Sequence, residues 1–421
     1  MLVEDHADIV IAGCGMIGAT LARAVSRTGK KILVLDAGRP ASGISASADA
    51  HELSLVQGFD SRVSAFTFAS QHLFQKLGVW QDIEHKRACP FTHMSVWDAD
   101  GTGRIDFDAK DVQQPFLGYI VENVLVNSTL QEHLSMLPNV TLQFGSKLVG
   151  IQQEAGQSIL VVEVAGETKR FTASLVVGAD GANSQTRRLA AIPTREWSYQ
   201  HHAIVATVQC EKHHQFTAWQ RFIDTGPLAF LPLQSGSSSQ QQLCSIVWSM
   251  EPEAAKSVMA LDDSAFRLEL ARSFEYQLGE IIDTSPRVRF PLVQRHAKYY
   301  VKPGLALVGD AAHTIHPLAG QGANLGLMDV AVLADELIKA SKAGVELGNQ
   351  VVLERYQRRR MGPNLAMMGV MEGFKRLFSE DDIRVRWLRN TGMKWMNQFP
   401  FVKNEIISRA MGLSITMPVL D

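Results

Sequence analysis

Residues 9–12, IVIA, form an apolar run with three β-branched positions out of four, the pattern of a strand buried on both faces. Glycines follow, then ATLARAVSR over residues 19–27 in good helix formers. Gly29 is a natural stop, and residues 31–35 make a second apolar strand that ends in Asp36. Strand, turn, helix, strand is a βαβ unit, which calls for a parallel sheet. Two later runs, residues 175–177 and 305–308, share this buried character and lead into glycine-rich turns, the second running into a helix at about Leu325. Between them the pattern changes. Residues 199–208, 216–233 and 243–250 read as short strands rich in Ile, Val, Phe and Trp, enough for a mixed sheet. SGSSSQQQ, residues 235–242, reads as a loop between two of them. Beyond residue 345, Met367, Met371, Phe374 and Phe378 recur at helical spacing beside Lys375 and Arg376, a packed or subunit-facing stripe, or a surface for membrane or partner.

At 421 residues the chain exceeds what one core organises, so two domains are expected. Apolar content of 46% and charged content of 20% are those of a globular protein, and a net charge of -2 with scattered bases excludes nucleic acid as a natural partner. Cys14, Cys89, Cys210 and Cys244 form no C-x-x-C pair, which fits a reducing cytoplasm better than a zinc ribbon or disulfide framework. The N-terminus carries acids where an export signal carries bases, and no run of eighteen uncharged apolar residues occurs.

The glycines Gly13, Gly15 and Gly18 stand in G-x-G-x-x-G, after a strand and before a helix. Gly13 permits the tight turn, Gly15 lets a pyrophosphate approach the backbone, and Gly18 lets helix and strand pack closely. Met16 and Ile17 lie in the same phosphate-facing turn. The helix N-terminus offers N–H groups to phosphate, and Asp36 is placed to accept from ribose hydroxyls, so an adenine dinucleotide is expected. Two further motifs narrow the choice: GADGANSQTR over residues 178–187, and GDAAHTIHPLAGQGANLGLMD over residues 309–329.

These three motifs, in this order and spacing, resemble the FAD-dependent aromatic hydroxylases of the p-hydroxybenzoate hydroxylase fold. Runs such as RVSAFTFAS (62–70), YIVEN (119–123) and GDAAHTIHPLAGQG (309–322) are most similar to the ubiquinone-biosynthesis branch, of the 2-octaprenylphenol hydroxylase type. The resemblance implies an α/β fold. Its Rossmann-like FAD-binding domain would be assembled from 1–80, 119–185 and 286–345, and a mixed β-sheet substrate domain from 81–118 and 186–285. A C-terminal helical region would follow over 346–421. It implies C5 hydroxylation of a 2-polyprenylphenol through a flavin C4a-hydroperoxide, with O2 as co-substrate and NAD(P)H as a transiently bound reductant. Another ring carbon, a non-oxygenating flavin oxidoreductase and an FAD-binding assembly or regulatory subunit are the alternatives.

By the same resemblance, Gly309 and Asp310 address the ribityl or pyrophosphate part of FAD, and the backbone of Pro317, Gly320, Gly322, Ala323 and Asn324 faces the ring. Arg62 reaches the phosphate and adenosine side, Glu122 and Asn123 lie beside the flavin, and Asp180 lies where the second motif approaches it. The partners implied are the prenylated phenol, other ubiquinone-biosynthesis proteins, peripheral contact with the inner membrane and a homo-oligomer.

A helix N-terminus near the flavin N1 edge favours its anionic reduced form without a lysine. Phe230, Leu231, Pro232, Trp248 and Pro317 are candidates for contact with an apolar ring and tail, and His202 or His201 for contact with a phenol. On a strand, neighbouring histidines point to opposite faces, so one at most of His201–His202, or of His213–His214, lines a pocket. His313 and His316 are three apart, but Gly309, Pro317 and Gly320 break a helix there and no third ligand follows. No metal is expected, and both histidines are read as hydrogen-bonding to backbone or to the pyrophosphate region. No side chain is assigned as an acid, base or nucleophile.

Overall fold

The computed structural model describes residues 4–41, 55–99, 103–154, 156–234, 242–315 and 321–379, with side chains as far as Gly373, and isolated positions between 403 and 418. The first strand, Glu4–Ala12, pairs in parallel with Ile32–Asp36 on one side and Glu167–Gly178 on the other. Val140–Phe144 extends this sheet beyond Ile32–Asp36, and Leu305–Leu307 beyond Glu167–Gly178. The central strands are apolar on both faces because helices cover both. Ile9, Val10, Ile11, Ile32, Val34, Val176 and Leu307 are all fully buried in one core.

The second sheet is antiparallel in its centre, running Val288–Ala297, Thr194–Cys210, Leu243–Met250, Gly226–Pro232 and Thr217–Ile223. Thr217–Ile223 then pairs in parallel with His93–Asp98. Helices Pro252–Ala260 and Asp263–Ser273 back one face of it, closing a second core around Phe230, Trp248 and Phe266. A three-stranded sheet of Val63–Phe66, Gly118–Glu122 and Cys89–Phe91 lies between the two larger ones.

The segment boundaries differ from the expected ones in two places. Val288–Ala297, inside the stretch read as nucleotide domain, is a strand of the second sheet, because it continues the ladder of Thr194–Cys210. Conversely, Ile83, on helix Trp80–Arg87 and inside the stretch read as substrate domain, is buried in the first core. The C-terminal helix Gln350–Ser379 also buries Val352, Leu353 and Tyr356 there. Among the described residues no helix is long and apolar enough to cross a membrane.

Candidate active site

The first turn is built by what glycine lacks. At Gly13 φ is +103°, and a Cβ would stand 2.4 Å from the carbonyl oxygen of Ala179; at Gly18 it would stand 1.9 Å from the carbonyl oxygen of Gly13. Gly15 is different, since a Cβ there meets nothing within 4 Å. Gly15 is also the N-cap of helix Met16–Val25, which has no side-chain cap and no acid in its first turn. The helix therefore presents N–H groups to open space flanked by half-buried Met16 and Ile17, the arrangement that receives a phosphate. Asp36 closes the turn from the strand end: its Oδ2 accepts the Cys14 N–H at 2.6 Å and its Oδ1 the Gly38 N–H at 2.7 Å. A carboxylate keeps further lone pairs for hydroxyl donors. Cys14 itself is 2% exposed, and burial, then the charge of Asp36, pushes its thiol up to about 12, so it is a filler and not a redox thiolate.

The other two motifs converge on this turn. Ala179 N–H bonds Ala12 O, and Val308 N–H bonds Gly178 O. Asp180 is turned to its own helix, Gln185–Leu189, accepting the Thr186 N–H at 2.8 Å and hydroxyls from Ser184 and Thr186. Arg187, nearly buried, donates from Nη1 to Ala311 O at 2.8 Å and from Nη2 to Ala182 O at 2.9 Å, tying the second motif to the third. Gly309 has φ +58°, and Gly326 of helix Gln321–Lys342 is pressed against it: a Cβ on Gly326 would lie 2.8 Å from Ile17 Cδ1 and 3.2 Å from Gly309 Cα.

Within the turn 309–315 the one exposed side chain is Asp310. Its side chain reaches solvent, but the protein packed around it raises its carboxyl above the usual range, against the charges of His313 and Arg62. Arg62 is exposed, and its charge acts on the Asp310 carboxyl. Gly322 is open, with Ile315 3.9 Å from where its Cβ would be, and Ala323 is half-buried beside it. Pro317, Gly320 and His316 lie outside the described residues.

Three expected cofactor neighbours have their side chains engaged elsewhere. Glu122 is 1% exposed; its Oε1 accepts the Asp60 N–H at 2.7 Å and its Oε2 pairs with Arg87 Nε at 3.0 Å. Burial, offset in part by Arg87, raises its carboxyl to about 7. Asn123 begins helix Asn123–Ser135 and accepts from Ser64 Oγ at 2.7 Å. Asn324 accepts from Ser70 Oγ at 2.7 Å and donates to Ala65 O at 2.8 Å, joining the long helix to the small sheet.

The second sheet's faces are set by strand alternation. Phe230 and Trp248 are buried on the helix-backed face, Phe230 stacked on Phe274 at 3.9 Å between ring centroids, and buried Pro232 shares their parity. His202 has the parity of Ile204 and lies on the same side. These residues are thus placed away from the first domain. The opposite face carries Leu231 and Leu243, which pack against Val63, Ala65 and Ile120 of the small sheet. Across it run Val205, Val247, Ala229 and Gln220 as successive cross-strand partners. His214 is buried and bonded to Leu233 O, and burial lowers its pKa to about 4.

Sequence reasoning passed over a polar cluster behind the third motif. Asp329, fully buried, accepts from His313 Nε2 at 2.5 Å, Gly309 N–H at 3.1 Å, Arg360 Nε at 2.7 Å and Asn364 Nδ2 at 3.0 Å. The one available signal was an aspartate at an apolar position of the long helix; its partners come from 31 and 35 residues further on.

An uncapped helix end over an open glycine, with an exposed aspartate carried by a second glycine turn, is the arrangement of a dinucleotide-binding protein. The chain matches the FAD binding domain model over residues 6–364 and belongs to that family, among its flavoprotein monooxygenases, for which NAD(P)H and O2 are the standard co-substrates. It is 36% identical to 3-demethoxyubiquinol 3-hydroxylase of Escherichia coli, over 98% of this chain and 100% of the relative. It is 35% identical to a ubiquinone hydroxylase of Rhodospirillum rubrum, over 97% of this chain and 90% of that one. The crystal structure of p-nitrophenol 4-monooxygenase from Pseudomonas putida superposes with a TM-score of 0.77 at 18% identity, covering 98% and 99% of the two chains, a likeness of fold. FAD fits the residues present: the space beside Gly15 is open at the uncapped helix end, and exposed Arg62 and Asp310 offer a cation and a carboxylate.

Proposed function

We propose that the protein hydroxylates the aromatic ring of a polyprenylated phenol in ubiquinone biosynthesis, at C5 of a 2-polyprenylphenol. The observation that carries the pathway is the unbroken likeness, from end to end of the chain, to relatives named as ubiquinone hydroxylases. FAD, once reduced by NAD(P)H, supplies oxygen activation and transfer to an electron-rich ring. The chain's own residues do the rest. The N-terminus of Met16–Val25 and Arg62 hold the phosphates, and Asp310 addresses the sugar chain. The N-terminal turn of Gln321–Lys342 directs positive potential to the ring. The sheet face bearing Val205, Val247, Ala229 and Leu231, with Gln220, Thr207 and Ser245 among them, offers a mixed apolar and polar wall that orients the phenol and excludes water.

A second reading is hydroxylation at another ring carbon, which the name of the Escherichia coli relative favours. An insoluble prenylated substrate would bring the enzyme to the cytoplasmic surface of the inner membrane. Other ubiquinone-biosynthesis proteins or a second copy would be partners there. The test is turnover of a short-chain 2-prenylphenol by the holoenzyme with NADH or NADPH under 18O2. The expected product carries one labelled hydroxyl at C5. An unlabelled product overturns the hydroxylase reading, and a labelled hydroxyl on a different carbon transfers the assignment to the second one.

A further inference from the structure

The turn from Gly309 to Thr314 carries exposed Asp310 and is held along the backbone on its far side, where the Ala297 N–H bonds Ala312 O at 2.8 Å and His313 pairs with His296. Buried side chains grip it from behind at three further points. Asp329 Oδ2 holds the Gly309 N–H and the His313 ring, while Arg187 holds the Ala311 carbonyl. Asp310 thus stands between two pinned neighbours. The grip continues outward. Asp329 Oδ1 takes Arg360 Nε and Asn364 Nδ2, Arg360 Nη2 donates to Asn364 Oδ1 at 2.6 Å and to Leu325 O at 3.3 Å, and Asn364 also reaches the Tyr300 hydroxyl at 3.3 Å. His296 lies 3.1 Å from that hydroxyl on its other side.

Every member is buried, Asp329 and Asn364 completely and Arg360 at 8% exposed. Burial alone would raise the Asp329 carboxyl, but the charges and hydrogen bonds of His313 and Arg360 hold it below the usual carboxylate range. A buried ionic cluster is a poor way to add stability, since apolar packing of the same volume serves as well or better. Its distinctive property is direction: four donors converge on one carboxylate, and two of them belong to the turn that meets the cofactor.

We infer that Asp329 is a positioning residue for the FAD-contacting turn, and that Arg360 and Asn364 of the C-terminal helix position it in turn, so that this helix fixes where Asp310 stands. The role concerns FAD and is independent of which phenol is hydroxylated.

The test compares holoenzyme of Asp329→Asn, Asn364→Ala, Arg360→Met and Arg360→Lys with wild type. FAD release on dilution is followed by recovery of flavin fluorescence, together with the visible absorption band of the bound flavin, far-UV circular dichroism and melting. Loss of one charge-assisted hydrogen bond predicts an FAD dissociation constant raised roughly tenfold or more. The flavin band should change in shape, and Arg360→Lys should recover part of what Arg360→Met loses. Asn364→Ala removes no charge and is the variant that decides if Asp329→Asn fails to fold. Variants that melt at lower temperature but retain wild-type FAD affinity and spectrum would show a purely structural cluster and overturn the inference.

Discussion

The two outer behaviours of the first glycine turn can be separated experimentally. Gly13→Ala places a methyl 2.4 Å from the Ala179 carbonyl oxygen and 2.7 Å from its carbon, at φ +103°. The positive φ costs about 1–2 kcal/mol for a residue with a Cβ, and forcing the backbone of residues 179–180 aside adds about 1–3 kcal/mol. The protein without FAD should therefore lose roughly 2–5 kcal/mol, as urea denaturation followed by circular dichroism would report. Gly15→Ala meets no atom within 4 Å and sits at φ -74°, so its fold should be unchanged to within about 1 kcal/mol. Its methyl instead occupies the space for pyrophosphate, and FAD affinity should fall about ten- to a hundredfold, the scale of one or two lost charge-assisted hydrogen bonds. A Gly15→Ala protein that binds FAD as wild type does would refute the placement of the phosphates. A Gly13→Ala protein of undiminished stability would refute the steric account.

Other substitutions probe the rest of the site. Because the Glu122 carboxyl rises from an ordinary value of 4.5 to about 7, the native state holds a proton that the unfolded chain has released between those pH values. Stability should fall as pH rises through that window and level off above it, by roughly 3 kcal/mol in all. The melting-temperature difference between Glu122→Gln and wild type should vary across this range, and a difference flat with pH would contradict it. Gly326→Ala should lower both stability and FAD occupancy, as flavin absorbance per protein reads, because Ile17 and the Gly309 backbone leave no room for the methyl. Phe230→Ala should cost about 3–5 kcal/mol through the cavity it leaves, while KM for the phenol and the bound-flavin spectrum stay near wild type; a large rise in KM would return Phe230 to the substrate wall.

What the sequence disclosed was what depends on neighbours in the chain. Strand, glycine turn and helix follow one another within thirty residues at the first motif, so the turn, its open Gly15 and Asp36 could be read directly. The run over residues 216–233 was legible as strand but folds as two, Thr217–Ile223 and Gly226–Pro232; the break falls at Asp224 and Thr225, where Gly226 at φ +132° turns the chain. Alternation showed that Phe230 and Leu231 part company but could not say which of them looks toward FAD, since that depends on where helices 252–273 pack. The metal alternative at His313 was set aside on helix breakers, but the partner it does have, Asp329, is sixteen residues along and buried with it. A buried charge network assembled from residues 296 to 364 obeys no spacing rule, and only the tertiary fold brings it together.

The strand His313–Thr314 is short, but it pairs with Val288–Ala297, so the turn that carries Asp310 is itself continuous with the margin of the second sheet. Reach and selectivity would thereby be decoupled. On the proposed function, the distance from cofactor to substrate face would be set by this backbone ladder, which side-chain replacement leaves intact, and the face could be re-lined for a differently substituted ring without moving Asp310.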